Sequence, residues 1–227
     1  MQQPLPLAAD DLFAAALRGF GLIGILAILA VLSGNFIVAP LSALLVLVWV
    51  WRSRTPWSDI GYQQPTNWAR DLALGVAFGM VLRIVMKMIV MPLLGTYPIN
   101  EPYHYLVGNT AALPGMVLTV VVAAGFGEET LFRGYMFERF GKLIGTNHSA
   151  KVLTVLLTSF WFGLAHYPEQ GLAGVQQATI VGLVFGIVFA ITGRIWILMF
   201  AHATFDLFAV TIIYLDLESE MARLIIN

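Results

Sequence analysis

Cysteine is absent from all 227 residues, which excludes disulfides, a thiol nucleophile and any thiolate metal site. The same absence leaves the redox compartment unread. Charge is scarce: Asp, Glu, Lys and Arg make up 11% of the chain, where a soluble domain carries about 25%. A net charge of −1 offers no basic field to a nucleic acid, and no nucleic-acid partner is expected. Lysine and arginine are missing from "GTYPINEPYHYLVGNTAA" and from "YPEQ". The first apolar run also lacks the basic start of a cleavable signal peptide; Asp10 and Asp11 stand there instead, so this run is expected to be retained. No internal repeat, low-complexity tract or interdomain linker is evident.

Apolar residues are plentiful, at 59% of the chain, and this composition predicts a polytopic membrane protein with one integral membrane domain over 1–227. A span needs about 20 apolar residues. The stretch from Gly19 to Trp51 is too long for one span, and "SGN" at Ser33 to Asn35 is expected to break it into helices 12–32 and 36–51. Further spans are expected over 72–94, from Pro114 to about Phe140, and over 150–166, 171–192 and 195–215. The predicted fold class is therefore all-α: a transmembrane helix bundle of seven to eight spans enclosing a polar active-site cavity. Arg52, Arg54 and Arg70, then Arg139, Lys142 and Lys151, then Arg194, fall in alternate connections. By the positive-inside rule those connections and the N-terminus are expected in the cytoplasm, in a plasma membrane of prokaryotic type.

Ionisable residues within spans are costly and mark function. Here they are Glu128, Glu129, Arg133, His166, His202 and Asp206, with Arg83 and Lys87 on the third span. Counted at 1.5 Å per residue from the cytoplasmic ends, Glu128 lies about 18 Å deep, His166 about 22 Å, and His202 and Asp206 about 10 to 16 Å. Three helices thus bring acid and imidazole to overlapping depths. Glu129 and Arg133 have the i, i+4 spacing of a helical ion pair. Glu128 is turned about 100° from its neighbour and is expected to face a different partner, free for general-base work. His202 and Asp206 share a face, and Phe162 stands one turn before His166, where it can wall the imidazole. Arg83 and Lys87 are expected either to pair with Glu129 or Asp206 or, for Lys87, to snorkel outward. Gly75 and Gly79 predict a close helix contact.

"EETLFR" (Glu128 to Arg133), "FGLAH" (Phe162 to His166) and "HATFD" (His202 to Asp206) resemble the EExxxR, FxxxH and HxxxN/D motifs of the CAAX prenyl endopeptidase and bacteriocin-processing family of intramembrane proteases. All three stand in the family's order on separate apolar segments. The resemblance covers 111–215 as a catalytic core; the spans of 1–110 carry no recognised motif. It implies an endopeptidase in which Glu128 and His166 activate water. His202 and Asp206 would polarise the scissile carbonyl, while Glu129, Arg133 and Phe162 give structural support. An asparagine at position 206 could donate a hydrogen bond to an oxyanion, whereas an ionised Asp206 cannot. Asp206 is then expected either to orient His202 or to bind metal.

Glu128, His166, His202 and Asp206 are all acceptable zinc ligands, yet HExxH is absent, so a metal-free glutamate mechanism is favoured and zinc stays possible. Neither the GxSG of rhomboids nor the GxGD of presenilin-type proteases occurs. The expected partners are the lipid bilayer and a membrane-associated protein or peptide: a leader peptide, a pheromone precursor, an anchored regulator or a prenylated protein. The alternatives are a non-catalytic protein on this scaffold, serving bacteriocin self-immunity or a partner complex, and a transporter. A transporter commonly shows paired broken helices in two halves, a symmetry absent here.

Overall fold

A computed structural model describes residues 9–96 and 99–223 of the chain, and among them every regular element is helical. The helices are α1 (Ala9–Arg18), α2 (Leu22–Ile37), α3 (Leu41–Ser53), α4 (Trp68–Leu93), α5 (Leu113–Ile144), α6 (His148–Ala165), α7 (Tyr167–Thr192), α8 (Trp196–Tyr214) and α9 (Glu218–Arg223). Short 3₁₀ turns at Trp57–Ile60 and Glu101–Leu106 sit in the two longer connections. The N-terminal residues 1–8 lie outside the description, and with them the expectation of which side the N-terminus faces.

The expected break at Ser33–Asn35 falls elsewhere. Helix α2 runs through it to Ile37, and the chain turns at Val38–Pro40. Gly34 and Asn35 instead serve a close crossing of α2 and α3. A Cβ on Gly34 would lie 2.7 Å from the Ser42 nitrogen. Asn35 Oδ1 accepts from the Ser42 N–H at 2.9 Å, and Ser42 Oγ accepts from the Asn35 N–H at 2.9 Å. A polar triplet in an apolar run marked a contact, not a turn. The real interruption upstream is at Gly19–Gly21, where α1 and α2 meet at 57°.

Helix α8 is the axis of the bundle, packed against α4 on one side and α5 on the other. Small residues set the approach. A Cβ on Gly79 would lie 2.2 Å from the Ala201 carbonyl oxygen, and one on Gly125 of α5 would lie 2.8 Å from the Ala203 Cβ. The close contact expected of Gly75 and Gly79 is therefore made within this chain, onto α8. Helices α6 and α7 form a tight hairpin beside it, with Gly163 against Thr179 and Gly182 against Ser159 and Phe162. The expected start of the sixth span at residue 171 matches a kink, where Gly171 adopts φ 59°, a value open to glycine.

Among the described residues, α4, α5, α7 and α8 are long and apolar enough to cross a membrane, and the bent pair α1–α2 makes a fifth. The seven to eight spans expected are thus not all reached. Helix α3 has 13 residues, about 20 Å at 1.5 Å per residue, short of the hydrocarbon core. Helix α6 begins with the polar residues His148, Ser149 and Lys151. Outward faces carry Leu72, Val81, Leu156, Phe160, Ile187 and Ile191, apolar side chains suited to lipid. Arg139, which the loop count treated as a cytoplasmic charge, is buried within α5.

Candidate active site

Helix α5 is not a regular α-helix where it carries the motif. Over Thr119–Glu128 and Thr130–Tyr135 it is wound as a π-helix, with i→i+5 bonding. Such stretches are rare and occur often at functional sites. Thr130 holds the wide turn: its Oγ1 donates to the Phe126 carbonyl at 2.7 Å, and the Tyr62 hydroxyl lies 2.7 Å from the same Oγ1. Burial, partly offset by the bond to Thr130, pushes the Tyr62 phenol up to about 12, so it stays a donor.

The two glutamates both turn toward α8. Glu129 is fully buried, and its Oε1 accepts from Arg133 Nη1 at 2.9 Å, the expected i, i+4 pair. The same oxygen accepts from His202 Nδ1 at 2.7 Å. Since a carboxylate is an acceptor, this bond places a proton on Nδ1 and leaves Nε2 facing the other way. There Nε2 meets Glu128 Oε2 at 3.7 Å and Asp206 Oδ2 at 3.6 Å. The expectation that Glu128 and Glu129 face different neighbours is corrected: they bracket one imidazole from its two nitrogens. A wound-out helix takes more residues per turn, so adjacent side chains diverge less than the 100° step of an α-helix implies. The expectation that Asp206 orients His202 is also corrected in part, because Glu129 makes the hydrogen bond to the ring and Asp206 stands at its open side.

Burial separates these groups. The side chains of Glu129 and Arg133 are 0% and 2% exposed, whereas those of Glu128 and Asp206 are 24% and 27% exposed. Oε2 of each glutamate is buried without a hydrogen-bond partner among the described residues.

His166 caps α6 at its junction with α7, and its Nδ1 lies 2.8 Å from the Phe162 carbonyl oxygen. Donation to that carbonyl leaves Nε2 with a lone pair. Phe162 walls the site as its spacing predicted, edge-on to His166 at 4.7 Å and to His202 at 6.0 Å, with the Arg133 guanidinium over its face at 4.7 Å. The opposite wall, Phe185 of α7, was not identified in the sequence; its ring lies 5.7 Å from that of His202. A phenylalanine in an apolar helix gives no local signal that it faces a histidine on another helix.

Neither basic residue of α4 pairs with Glu129. Lys87 is buried and donates to Glu218 Oε1 at 2.7 Å, so it does not snorkel. Arg83 Nη1 donates to Gln177 Oε1 at 3.4 Å, and its guanidinium lies over the Phe205 ring at 5.1 Å, on the side from which it bears electrostatically on Asp206.

Among the described residues, no three His, Asp or Glu side chains are gathered closely enough to hold a metal ion. The four residues offered by the sequence as zinc ligands do not fit that role as arranged. What the cluster can do is general acid–base work. It sets a partly exposed carboxylate and an imidazole acceptor beside a second imidazole fixed by a buried acid.

Residues 110–208 match the model of a family described as type II CAAX prenyl endopeptidase, Rce1-like. This stretch contains all three motifs from which the resemblance was read. No curated protein and no solved structure matches the chain.

Proposed function

From that family match, we propose that the chain is an intramembrane endopeptidase that hydrolyses a peptide bond of a membrane-associated protein or peptide. The observation that carries the reading is the bracketing of His202 by Glu129 on one nitrogen and by Glu128 and Asp206 on the other. In this proposal Glu128 takes the proton from the attacking water, assisted by the free Nε2 of His166. As water adds to the scissile carbon, negative charge moves onto the carbonyl oxygen. His202, protonated at both nitrogens, gives one hydrogen bond to Glu129 and the other to that oxygen. Glu129 and Asp206, which stay ionised when Glu128 takes up the proton, supply the counter-charge for such an imidazolium. Asp206 holds the imidazolium on the substrate side. Arg133 neutralises Glu129 and keeps it in place.

The proposed activation of water uses these side chains without a metal ion. The enzyme works from a plasma membrane of prokaryotic type with its basic connections in the cytoplasm. The test is cleavage by the purified protein in liposomes, using quenched fluorogenic peptides with and without a C-terminal lipid anchor. Faster cleavage of the anchored peptide is expected. No cleavage of either, by protein with an intact thermal transition, would favour a non-catalytic role on the same scaffold.

A further inference from the structure

Residues 99–112, between α4 and α5, are tied to the C-terminal end of α8 and to α9 at two points. The Asn100 N–H donates to both Glu218 oxygens, at 3.2 and 3.1 Å, and Glu218 is held in turn by Lys87. The Gly108 N–H donates to the Tyr214 carbonyl at 3.0 Å. Between these anchors the 3₁₀ turn Glu101–Leu106 presents Tyr103. Its ring packs on the cluster of Leu106, Val120, Val210 and Ile213, which joins the start of α5 to the second half of α8.

The Tyr103 hydroxyl points toward the α6–α7 junction, three and four residues past His166. It donates to Glu169 Oε2 at 3.5 Å and accepts from Gln170 Nε2 at 3.4 Å. Both distances are at the long end of hydrogen bonding, so neither bond holds the hydroxyl firmly. Burial first, then the negative fields of Glu169, Asp206 and, more weakly, Glu128, push the phenol up to about 12, against the bond from Gln170. A neutral O–H donor thus stands within the electrostatic reach of the site's two partly exposed carboxylates. It comes from a segment outside the 110–208 match.

The site as read so far is short of such a group. An ionised Asp206 accepts hydrogen bonds and donates none. An oxyanion is best held by more than one donor, and His202 supplies one. We propose that Tyr103 is a further catalytic residue: its hydroxyl leaves Glu169 and donates to the scissile carbonyl oxygen as negative charge develops there. The phenol keeps its proton throughout. As Glu128 takes the water's proton, the bond from water oxygen to carbonyl carbon forms and the carbonyl π pair moves onto oxygen, where Tyr103 and His202 hydrogen-bond it. The pair then returns, the C–N bond breaks, and the proton held by Glu128 passes to the leaving nitrogen, which departs as the amine.

This inference rests on the endopeptidase reading and is tested beside it. Tyr103→Phe keeps the ring and its packing and removes the hydroxyl alone. With the lipid-anchored fluorogenic peptide, kcat is expected to fall about 100-fold with KM within about twofold, as for loss of one oxyanion donor. A peptide phosphonate, whose oxygens mimic the tetrahedral oxyanion, should bind more weakly by a similar factor. Glu169→Gln, which changes only the resting partner, should leave kcat within about threefold. Wild-type kcat and phosphonate affinity in Tyr103→Phe, or an equal loss of kcat in Glu169→Gln, would overturn the role of Tyr103 and leave the protease reading standing. Wild-type protein that cleaves nothing would overturn both.

Discussion

Two groups of acids on helix α5, ten residues apart, are solved in opposite ways. Glu138 is saturated by cations. Arg139 Nε donates to its Oε2, Arg139 Nη2 donates to Oε1 at 2.8 Å, and Lys142 Nζ lies 2.6 Å from Oε1. Arg139 then stacks over Trp49 at 4.4 Å and donates to the Arg18 carbonyl at 3.0 Å, which fastens α1 and α3 to α5. Among the described residues only Glu129 of the adjacent acids forms an ion pair with an arginine, and Oε2 of each has no hydrogen-bond partner. A carboxylate with every oxygen matched to a cation holds a fold together. One left short of partners, beside an imidazole and open to solvent or lipid, is available to a reaction.

The comparison breaks most heavily at Glu129, which belongs to both groups: buried and paired like Glu138, yet bonded to His202. Glu129→Gln strands Arg133 as a buried unmatched charge and is expected to destabilise the protein by about 3–5 kcal/mol, read by thermal unfolding in detergent. Replacing the pair together, Glu129→Gln with Arg133→Met, should recover much of that stability and none of the activity, because the His202 imidazolium has still lost the negative charge at its Nδ1 side. Recovery of cleavage along with stability would make Glu129 a structural acid only.

A smaller effect is expected at Glu138. Glu138→Gln removes the charge and keeps a single acceptor oxygen, the other becoming an NH2 donor, and a loss of about 1–3 kcal/mol in stability is expected, with the folded protein cleaving at nearly the wild-type rate. A large loss of activity per folded molecule would erase the distinction between the two groups.

How far these roles could be read in advance depended on whether the partners were near in sequence. The pair Glu129–Arg133, the wall Phe162 to His166, and the glycine contact at Gly75 and Gly79 all follow from helical spacing, and each was legible. The bond from His202 to Glu129 joins residues 73 apart, and no local pattern encodes it. The Lys87–Glu218 pair spans 131 residues and was missed for the same reason. The π-helical winding of α5 was also hidden, since its sequence reads as an ordinary apolar helix. That winding is what turns both glutamates onto one ring. The burial of Arg139 escaped a reading that treats arginine near a span end as a topology signal.

The smallest effect expected is none at all. If side chains alone activate the water, exhaustive chelation leaves cleavage unchanged and the purified protein holds no stoichiometric zinc. Chelator-sensitive cleavage restored by zinc, with one metal per chain lost in a Glu128→Gln variant, would require a Lewis acid in the mechanism.

The central claim is that Glu128 is the acid reserved for chemistry, and its most direct test is cleavage by Glu128→Gln beside its unfolding curve. The substitution removes a proton acceptor and breaks no ion pair on which the fold depends. The expected result is a melting temperature within a few degrees of wild type and a kcat lower by about three orders of magnitude or more, since general-base loss alone accounts for 10²–10⁴. A Glu128→Gln protein that cleaves at the wild-type rate, or one that is inactive only because it has unfolded, would contradict the account.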